Sequence, residues 1–129
     1  MRWDLCLLLS GDLKVSSETH VLFPKYTSAV GTAGGKSYYT PAWDVSRWKT
    51  VSATVLLEAA FSTTTVNAQL EESADQETWS GIGVSTSLTA GNPVTLTKTD
   101  PLRYLRLKVS ITGADKMATF WAFAVLRSE

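Results

Sequence analysis

Apolar and polar residues alternate along several segments of this chain, most clearly between Trp48 and Phe61. There the apolar side chains stand at every second position, with threonine, serine or glutamate between most of them. A period of two is the repeat of a β-strand, and valine and threonine pack well on a pleated surface. The segment is therefore predicted to be a strand whose apolar set faces a core, namely Val51, Ala53, Val55, Leu57, Ala59 and Phe61.

The next segment repeats the pattern after a polar turn at Ser62–Thr65. Val66, Ala68 and Leu70 alternate with polar residues. Two alternating runs joined by a short polar turn favour a β-hairpin. We therefore expect the strand after the turn to pair with the strand before it.

Residues 102–112 form a third alternating run with one apolar face and one polar face. We predict that the apolar face is buried and the polar face solvated. The apolar face carries Arg103, Leu105, Leu107, Val109 and Ile111, and the polar face carries Tyr104, Arg106, Lys108, Ser110 and Thr112.

Other segments suggest further short strands. Residues 79–84 contain three apolar residues, and Gly81 and Gly83 between them indicate a bulge. Turn residues precede a short run that begins at Val94. Residues 117–126 are apolar almost throughout, which predicts a last strand covered on both faces.

Residues from about 10 to 45 contain scattered glycines and little alternation, so we predict an irregular N-terminal arm or long loops there. Short strands joined by polar turns, without an amphipathic helix, are typical of sandwiches and jelly rolls. The predicted fold class is an all-β, antiparallel, jelly-roll-like β-sandwich. Residues 1–129 are expected to form one domain with its sandwich core at residues 46–129.

Charge and composition narrow the function classes. The chain has 129 residues, of which 44% are hydrophobic, and its 12 basic residues balance its 12 acidic ones. No net field draws it to nucleic acid or to an anionic membrane, so neither is an expected partner. No apolar run approaches the roughly 20 residues of a membrane helix.

The single cysteine, Cys6, cannot form a disulfide within the chain, which favours a reducing compartment. It lies in the apolar run Leu5–Leu9, which is too short for a signal peptide and lacks a cleavage site after it. We interpret the run as a buried strand and predict no signal peptide.

Candidate catalytic and ligand-binding motifs are weak. Gly31–Ser37 resembles a phosphate-binding loop, but Val30 stands where the first glycine would be needed, so a flexible loop is predicted. His20 is the only histidine, and no spacing pairs it with Cys6 or a serine. The carboxylates between Glu71 and Glu77 suit calcium or a solvated turn, of which the turn is favoured. We therefore predict a protein that is not an enzyme and has no cofactor or metal.

Candidate interaction residues come from two places in the chain. Tyr38, Tyr39 and Trp43 cluster in the irregular segment, where exposed rings stack on sugars or anchor protein contacts. The alternative is that these rings cap the core, as is expected for Trp79 and Trp121.

The second candidate is a basic stripe of Arg106 and Lys108 beside Tyr104. It suits an acidic surface on a partner, such as the acidic loop of a neighbouring copy. The alternative is an ordinary solvated strand face.

Two motifs carry a family resemblance. Glu72–Trp79 contains Ser73, Asp75 and Trp79, and Leu102–Leu107 reads L-R-Y-L-R-L. Together they resemble small β-sandwich proteins of tailed-phage virions and, more weakly, the S-x-D-x-x-x-W and R-Y-L-R pattern of discoidin-like sandwich domains. In such domains these motifs fix a turn and a core strand.

The resemblance implies a non-enzymatic structural protein of a phage virion, either a capsid decoration or a tail-associated component. Its expected partners are copies of itself and neighbouring virion proteins, and its expected location is the virion after synthesis in the host cytoplasm. The alternative function is a carbohydrate-binding or adhesion module, in which Tyr38, Tyr39 and Trp43 form a platform for a glycan.

Overall fold

The computed structural model describes residues 16–61 and 63–128, and within these ranges the secondary structure consists of strands without a helix. No helix that could cross a membrane is therefore found among them. The strands are β1 (Ser17–Val30), β2 (Lys36–Tyr39), β3 (Trp43–Asp44), β4 (Thr50–Ala60), β5 (Thr65–Ser73), β6 (Ser80–Gly81), β7 (Thr86–Ser87), β8 (Val94–Thr99), β9 (Tyr104–Thr112) and β10 (Met117–Arg127).

The strands form two antiparallel sheets. The first sheet has the order β1-β10-β4-β8, and the second has the order β2-β9-β5-β6. The short strands β3 and β7 pair with β9 and β5 in the second sheet. The predicted all-β antiparallel sandwich is confirmed.

The core lies between the two sheets and is built from every second residue of the long strands. Leu105, Leu107 and Phe120 have no exposed surface. The ring of Phe120 meets Phe23 of β1 edge to face, with 5.1 Å between the ring centroids. The alternation along the sequence thus translates directly into one buried face per strand.

The predicted hairpin between β4 and β5 is wrong. β4 pairs with β10 and β8 in the first sheet, whereas β5 pairs with β9 in the second. In the turn between them, the amide of Thr64 donates to the carbonyl of Phe61 at 2.9 Å. Because both strands bury an apolar face in the same core, this short turn carries the chain from one sheet to the other.

The prediction of an irregular arm is wrong for residues 17–30 and 36–39, which form β1 and β2. β1 pairs with β10, but its register shifts between Val21 and Phe23 and again between Phe23 and Thr27. Tyr26 has a φ of 63° in the second irregularity. Such bulges break the alternation that would have revealed a strand. Residues 10–15 of the predicted arm and the predicted strand Leu5–Leu9 lie outside the described residues.

The last strand, β10, was expected to be covered on both faces. It lies between β1 and β4, and its inward side chains are buried, as predicted. Its outward residues Trp121, Phe123 and Val125 are only half-buried. The prediction therefore holds for one face of the strand and is wrong for the other.

Candidate interaction site

The outward face of the second sheet collects the polar residues of β5 and β9. Antiparallel register places Arg106 opposite Glu71, Lys108 opposite Gln69, and Tyr104 opposite Ser73. Residues that face each other across two strands are close enough for their side chains to interact. The pairing of the strands therefore brings an arginine and a glutamate from distant parts of the sequence together.

Arg106 is the centre of this face. Its guanidinium carbon lies 4.1 Å from the ring centroid of Tyr39 and 4.2 Å from that of Trp79. Its Nε donates a hydrogen bond of 2.8 Å to Oε1 of Glu71. A planar guanidinium stacks well on aromatic faces while its edge still donates hydrogen bonds. We call Tyr39, Arg106, Trp79 and Glu71 the arginine stack.

The ion pair within the arginine stack is largely shielded from solvent. The Arg106 side chain is 23% exposed and that of Glu71 is 12% exposed. Such a pair is less screened by water and salt than a fully exposed one. The two rings and the carboxylate therefore hold the guanidinium in one orientation.

A tight turn between Ser73 and Trp79 positions the tryptophan. Oδ1 of Asp75 accepts hydrogen bonds from the amides of Glu77 and Thr78, both at 2.9 Å. The indole nitrogen of Trp79 donates to the carbonyl of Gln76 at 3.3 Å. These bonds explain the S-x-D-x-x-x-W motif, whose serine and aspartate fix the turn that sets Trp79 against Arg106.

The same hydrogen bonds lower the pKa of Asp75. The amides of Thr78 and Glu77 stabilise the charged carboxylate, and the Ser73 hydroxyl adds to their effect. The carboxylate of Asp75 thus acts as a fixed acceptor within the turn.

The acidic residues between Glu71 and Glu77 point to different partners. Glu71 binds Arg106, whereas Oε1 of Glu72 accepts from the amide of Leu102 at 3.1 Å. Among residues 16–61 and 63–128, no three His, Cys, Asp or Glu residues are grouped to hold a metal ion. Glu71 and Glu72 belong to β5 and are largely shielded, whereas Asp75 and Glu77 lie in the exposed turn that follows, so the favoured solvated turn describes only the second half of this segment.

The structure separates the six interaction residues predicted from the sequence. Tyr39, Tyr104, Arg106 and Lys108 lie on the outward face of the second sheet. Tyr38 and Trp43 instead pack against the core, because they pair with inward residues of β9. Tyr38, Tyr39 and Trp43 therefore do not share one surface, and the expected three-ring platform is not formed.

Tyr104 lies next to a second, more exposed ion pair. The guanidinium of Arg103 lies 5.3 Å from the Tyr104 ring, and its Nε donates to Oδ2 of Asp44 at 3.2 Å. Hydrogen bonds from Ser46 lower the pKa of Asp44, and Arg103 adds to this effect. Both arginines of the R-Y-L-R motif thus bind a carboxylate on a neighbouring segment.

Trp79 is the residue of this site that sequence reasoning missed. It was expected in the core, but it lies half-buried on the outward face against Arg106. Its position depends on the turn, in which Gln76 has a φ of 65°. The S-x-D-x-x-x-W motif was the available signal, since it marks a turn that ends at the tryptophan.

The segment that resembles a phosphate-binding loop is part of the sandwich. The amide of Gly31 donates to the carbonyl of Lys116 at 2.8 Å, and Thr32 forms a β-bridge with Thr112. A strand, β2, follows where a phosphate-binding loop would need a helix N-terminus. The backbone of this segment is therefore paired with neighbouring strands, and the predicted flexible loop is not observed.

The predicted absence of a catalytic pair concerned His20 and Cys6. The His20 ring lies 3.0 Å from the carboxylate of Glu18 on β1. Cys6 lies outside the described residues.

Comparisons with known proteins show what this fold is similar to. Neither the scan of protein-family models nor the search of curated proteins gave a match. Among solved structures, the VP2 subviral particle of infectious bursal disease virus matches with a TM-score of 0.62 and 13% identity. The match covers 88% of this chain and 32% of the VP2 chain.

Two other structures are similar at the same level of identity. The PBSX exported protein XepA has a TM-score of 0.61 and 15% identity, over 84% of this chain and 36% of XepA. A protein of the disulfide-linked pili that form Bacillus endospore appendages has a TM-score of 0.50 and 11% identity, over 98% of this chain and 96% of its own. This chain therefore spans about a third of the viral and PBSX chains, and with them it shares a β-sandwich fold.

Proposed function

We propose that this protein is a non-enzymatic structural subunit of a tailed-phage virion, either a capsid decoration or a tail-associated component. It acts through protein–protein contacts, and its partners are neighbouring virion proteins and further copies of itself. The occurrence of the same sandwich in a viral capsid protein and in a PBSX exported protein supports a structural role.

The arginine stack is the observation that carries this proposal. Tryptophan, tyrosine and arginine are the residue types most enriched at the energetic centres of protein interfaces. Here one of each is packed together on an outward face, and the turn and the Glu71 carboxylate already hold them in place. A side chain that is ordered before binding loses less entropy when a partner docks. The stack therefore suits recognition of a neighbouring protein.

Sedimentation of phage particles tests the proposal. Particles are banded from a lysate of the host that carries the gene, and the chain is quantified in the particle band by mass spectrometry. We expect it there at a fixed ratio to the major capsid protein. Its recovery only in the soluble fraction would contradict a virion role.

Reconstitution tests the site separately. Particles lacking the chain are mixed with purified wild-type protein, with Arg106→Ala, or with Lys49→Ala as a control that removes an exposed cation elsewhere. We expect wild type and Lys49→Ala to rebind equally and Arg106→Ala to rebind at least about tenfold more weakly, because it removes the centre of the stack. Equal rebinding of all three proteins would exclude the arginine stack as the contact.

A further inference from the structure

The outward face of the first sheet differs in character from the outward face of the second. Trp121, Phe123 and Val125 of β10 point outward, and the first two rings are stacked with 5.1 Å between their centroids. Val21 of β1 lies opposite Phe123 and is 68% exposed. Leu56 of β4 lies opposite Trp121. These residues form an apolar surface across three adjacent strands.

The apolar surface continues to one end of the sheet. Val30 and Met117 pair across β1 and β10, and they are 45% and 46% exposed. Beside them, Phe61 is 56% exposed and borders an open groove of about 240 Å³, lined by Ala59, Ala60, Phe61, Met117 and Thr119. Contiguous exposed apolar patches larger than a few hundred Å² mark interaction sites on soluble proteins.

Towards β8 the face carries hydroxyl groups instead of charges. The hydroxyl oxygens of Thr54 and Thr95 lie 3.2 Å apart, and those of Ser52 and Thr97 lie 3.3 Å apart. Because these hydroxyls bond to each other across β4 and β8, they need less solvation by water. Two lysines lie beside the rings of this surface, with Nζ of Lys25 5.2 Å from the centroid of Trp121 and Nζ of Lys116 5.5 Å from that of Phe61. We call the outward surface of β1, β10, β4 and β8 the first-sheet face.

We propose that the first-sheet face is the contact between two copies of this chain. The proposal rests on the proposed structural role and assigns one of its self-contacts to a surface. Apart from two lysines beside its rings, the surface is apolar or hydroxyl-bearing, so packing it against an identical surface removes apolar groups of both copies from water. In a pair related by a two-fold axis, both copies use the same patch, so one continuous patch is enough to form the contact.

The size of the first-sheet face supports a second copy as the occupant. The four strands have 14, 11, 11 and 6 residues, which at about 3.3 Å per residue and about 4.8 Å per strand present roughly 600–700 Å². Two such faces bury roughly 1,200 Å² in total, which is the lower end of specific protein interfaces. We therefore expect a pair that forms and dissociates with protein concentration.

The segment of residues 1–15 is the other candidate occupant. If it lay as a single strand, it would cover about 4.8 Å by 50 Å, or roughly 240 Å², which is less than half of the face. Its sequence also contains Arg2, Asp4, Asp12 and Lys14, and a mainly apolar surface would leave most of these charges unpaired. The first sheet of another copy, packed face to face at a distance of about 10 Å, would cover the whole face.

Analytical ultracentrifugation over about a hundredfold range of concentration tests the proposal. The proteins compared are the full-length wild type, Val21→Glu and Met117→Glu. Val84→Glu is the matched control, since Val84 is 82% exposed in the loop between β6 and β7. Both test positions are exposed, so a glutamate there leaves the core intact. Circular dichroism confirms the fold of each variant.

We expect the mass of wild type and Val84→Glu to rise from 14.0 kDa towards twice that value with concentration. Val21→Glu and Met117→Glu should stay at the mass of one chain, because pairing would bury their charges. A wild type that is monomeric throughout would overturn the proposal, as would association that survives both substitutions on the first-sheet face. Neither result bears on whether the chain is found in virions, so the two proposals fail independently.

Discussion

The contact between Trp79 and Arg106 can be measured as a coupling energy. Trp79→Ala removes one of the two rings that cover the guanidinium, and Arg106→Ala removes the cation between them. Each single substitution also disturbs other contacts, such as the bond from Arg106 to Glu71. The double-mutant cycle subtracts those shared losses and leaves the energy of the ring–cation contact itself.

The expected magnitude follows from the geometry and the exposure. A cation over an aromatic ring is worth about 0.5–1 kcal/mol at an exposed site and about 2 kcal/mol when it is desolvated. The Arg106 side chain is 23% exposed and its guanidinium carbon lies 4.2 Å from the Trp79 centroid, so we expect a coupling of about 1 kcal/mol. Arg106→Ala alone should destabilise the fold by about 2–3 kcal/mol, because it leaves the shielded Glu71 carboxylate unpaired.

Urea unfolding followed by far-ultraviolet circular dichroism measures all four proteins, since this signal comes mainly from the backbone, whereas fluorescence would change with the tryptophan that is removed. Lys108 supplies the control cycle with Trp79. It lies two residues along β9 and faces Gln69 and Tyr39 in the register of the second sheet. We expect its coupling to Trp79 to stay below about 0.3–0.5 kcal/mol, as for independent sites.

A coupling between Trp79 and Arg106 as small as the control value would refute the arginine stack. It would mean that the indole does not lie on the guanidinium in solution. A large coupling in both cycles would instead show that loss of Trp79 disturbs the whole face.

Three further outcomes test the fold around the site. A Cβ added at Gly31 would lie 2.7 Å from both Cγ2 and the carbonyl oxygen of Ile111, so Gly31→Ala should lower the free energy of unfolding by about 1–3 kcal/mol in a urea titration. The control is Gly34→Ala, which should be neutral or stabilising because no atom lies within 4 Å of the added Cβ. Asp75 has a lowered pKa in the folded state, so its contribution to stability is present above its ordinary pKa near 3.8 and is lost as the pH falls through the folded value. Urea midpoints measured from neutral to acidic pH should therefore fall less steeply for Asp75→Asn than for wild type. Phe120→Ala should cost about 3–5 kcal/mol in calorimetry or urea unfolding, and a smaller loss would contradict its position in the core.

The sequence predicts those strands whose pairing is regular. In β9, in β4 as far as Leu57 and in β5 as far as Leu70, every second side chain is buried, so the alternation of apolar residues marks both the strand and its inward face. Beyond Leu57 the register of β4 against β10 shifts, and the prediction that Ala59 and Phe61 face the core is wrong, because both are exposed. It does not indicate which strands are neighbours, and the wrong hairpin between β4 and β5 follows from this limit. The apolar faces of strands in opposite sheets look alike because they meet in the same core.

The strand β1 escaped prediction because its irregularities hide the period. Pro24 and the positive φ of Tyr26 fall within the second of two register shifts against β10, between Phe23 and Thr27. Each shift changes which residues face inward, so the apolar residues of the whole segment do not fit one repeat. The partner strand β10, which is distant in sequence, pairs with this segment and holds it extended.

The two aromatic surfaces illustrate a different limit. Tyr38 and Tyr39 are adjacent in sequence, but a strand sends neighbouring side chains to opposite faces, so Tyr38 packs against the core and Tyr39 joins Arg106. A cluster of rings in the sequence therefore does not make a cluster on a surface. The residues that do meet, Tyr39, Trp79 and Arg106, come from three separate segments.

The apolar composition of the last strand led to a prediction that holds for only one of its faces. The apolar run at residues 117–126 predicts cover on both faces, yet the outward residues Trp121 and Phe123 are only half-buried in the single chain. Partly exposed rings in the middle of a sheet leave apolar surface in water, which favours any contact that covers it. The prediction from the sequence and the exposure in the structure agree if a second copy supplies the missing cover. Ultracentrifugation of Val21→Glu and Met117→Glu tests this explanation, because these substitutions place a charge on that surface without changing the core.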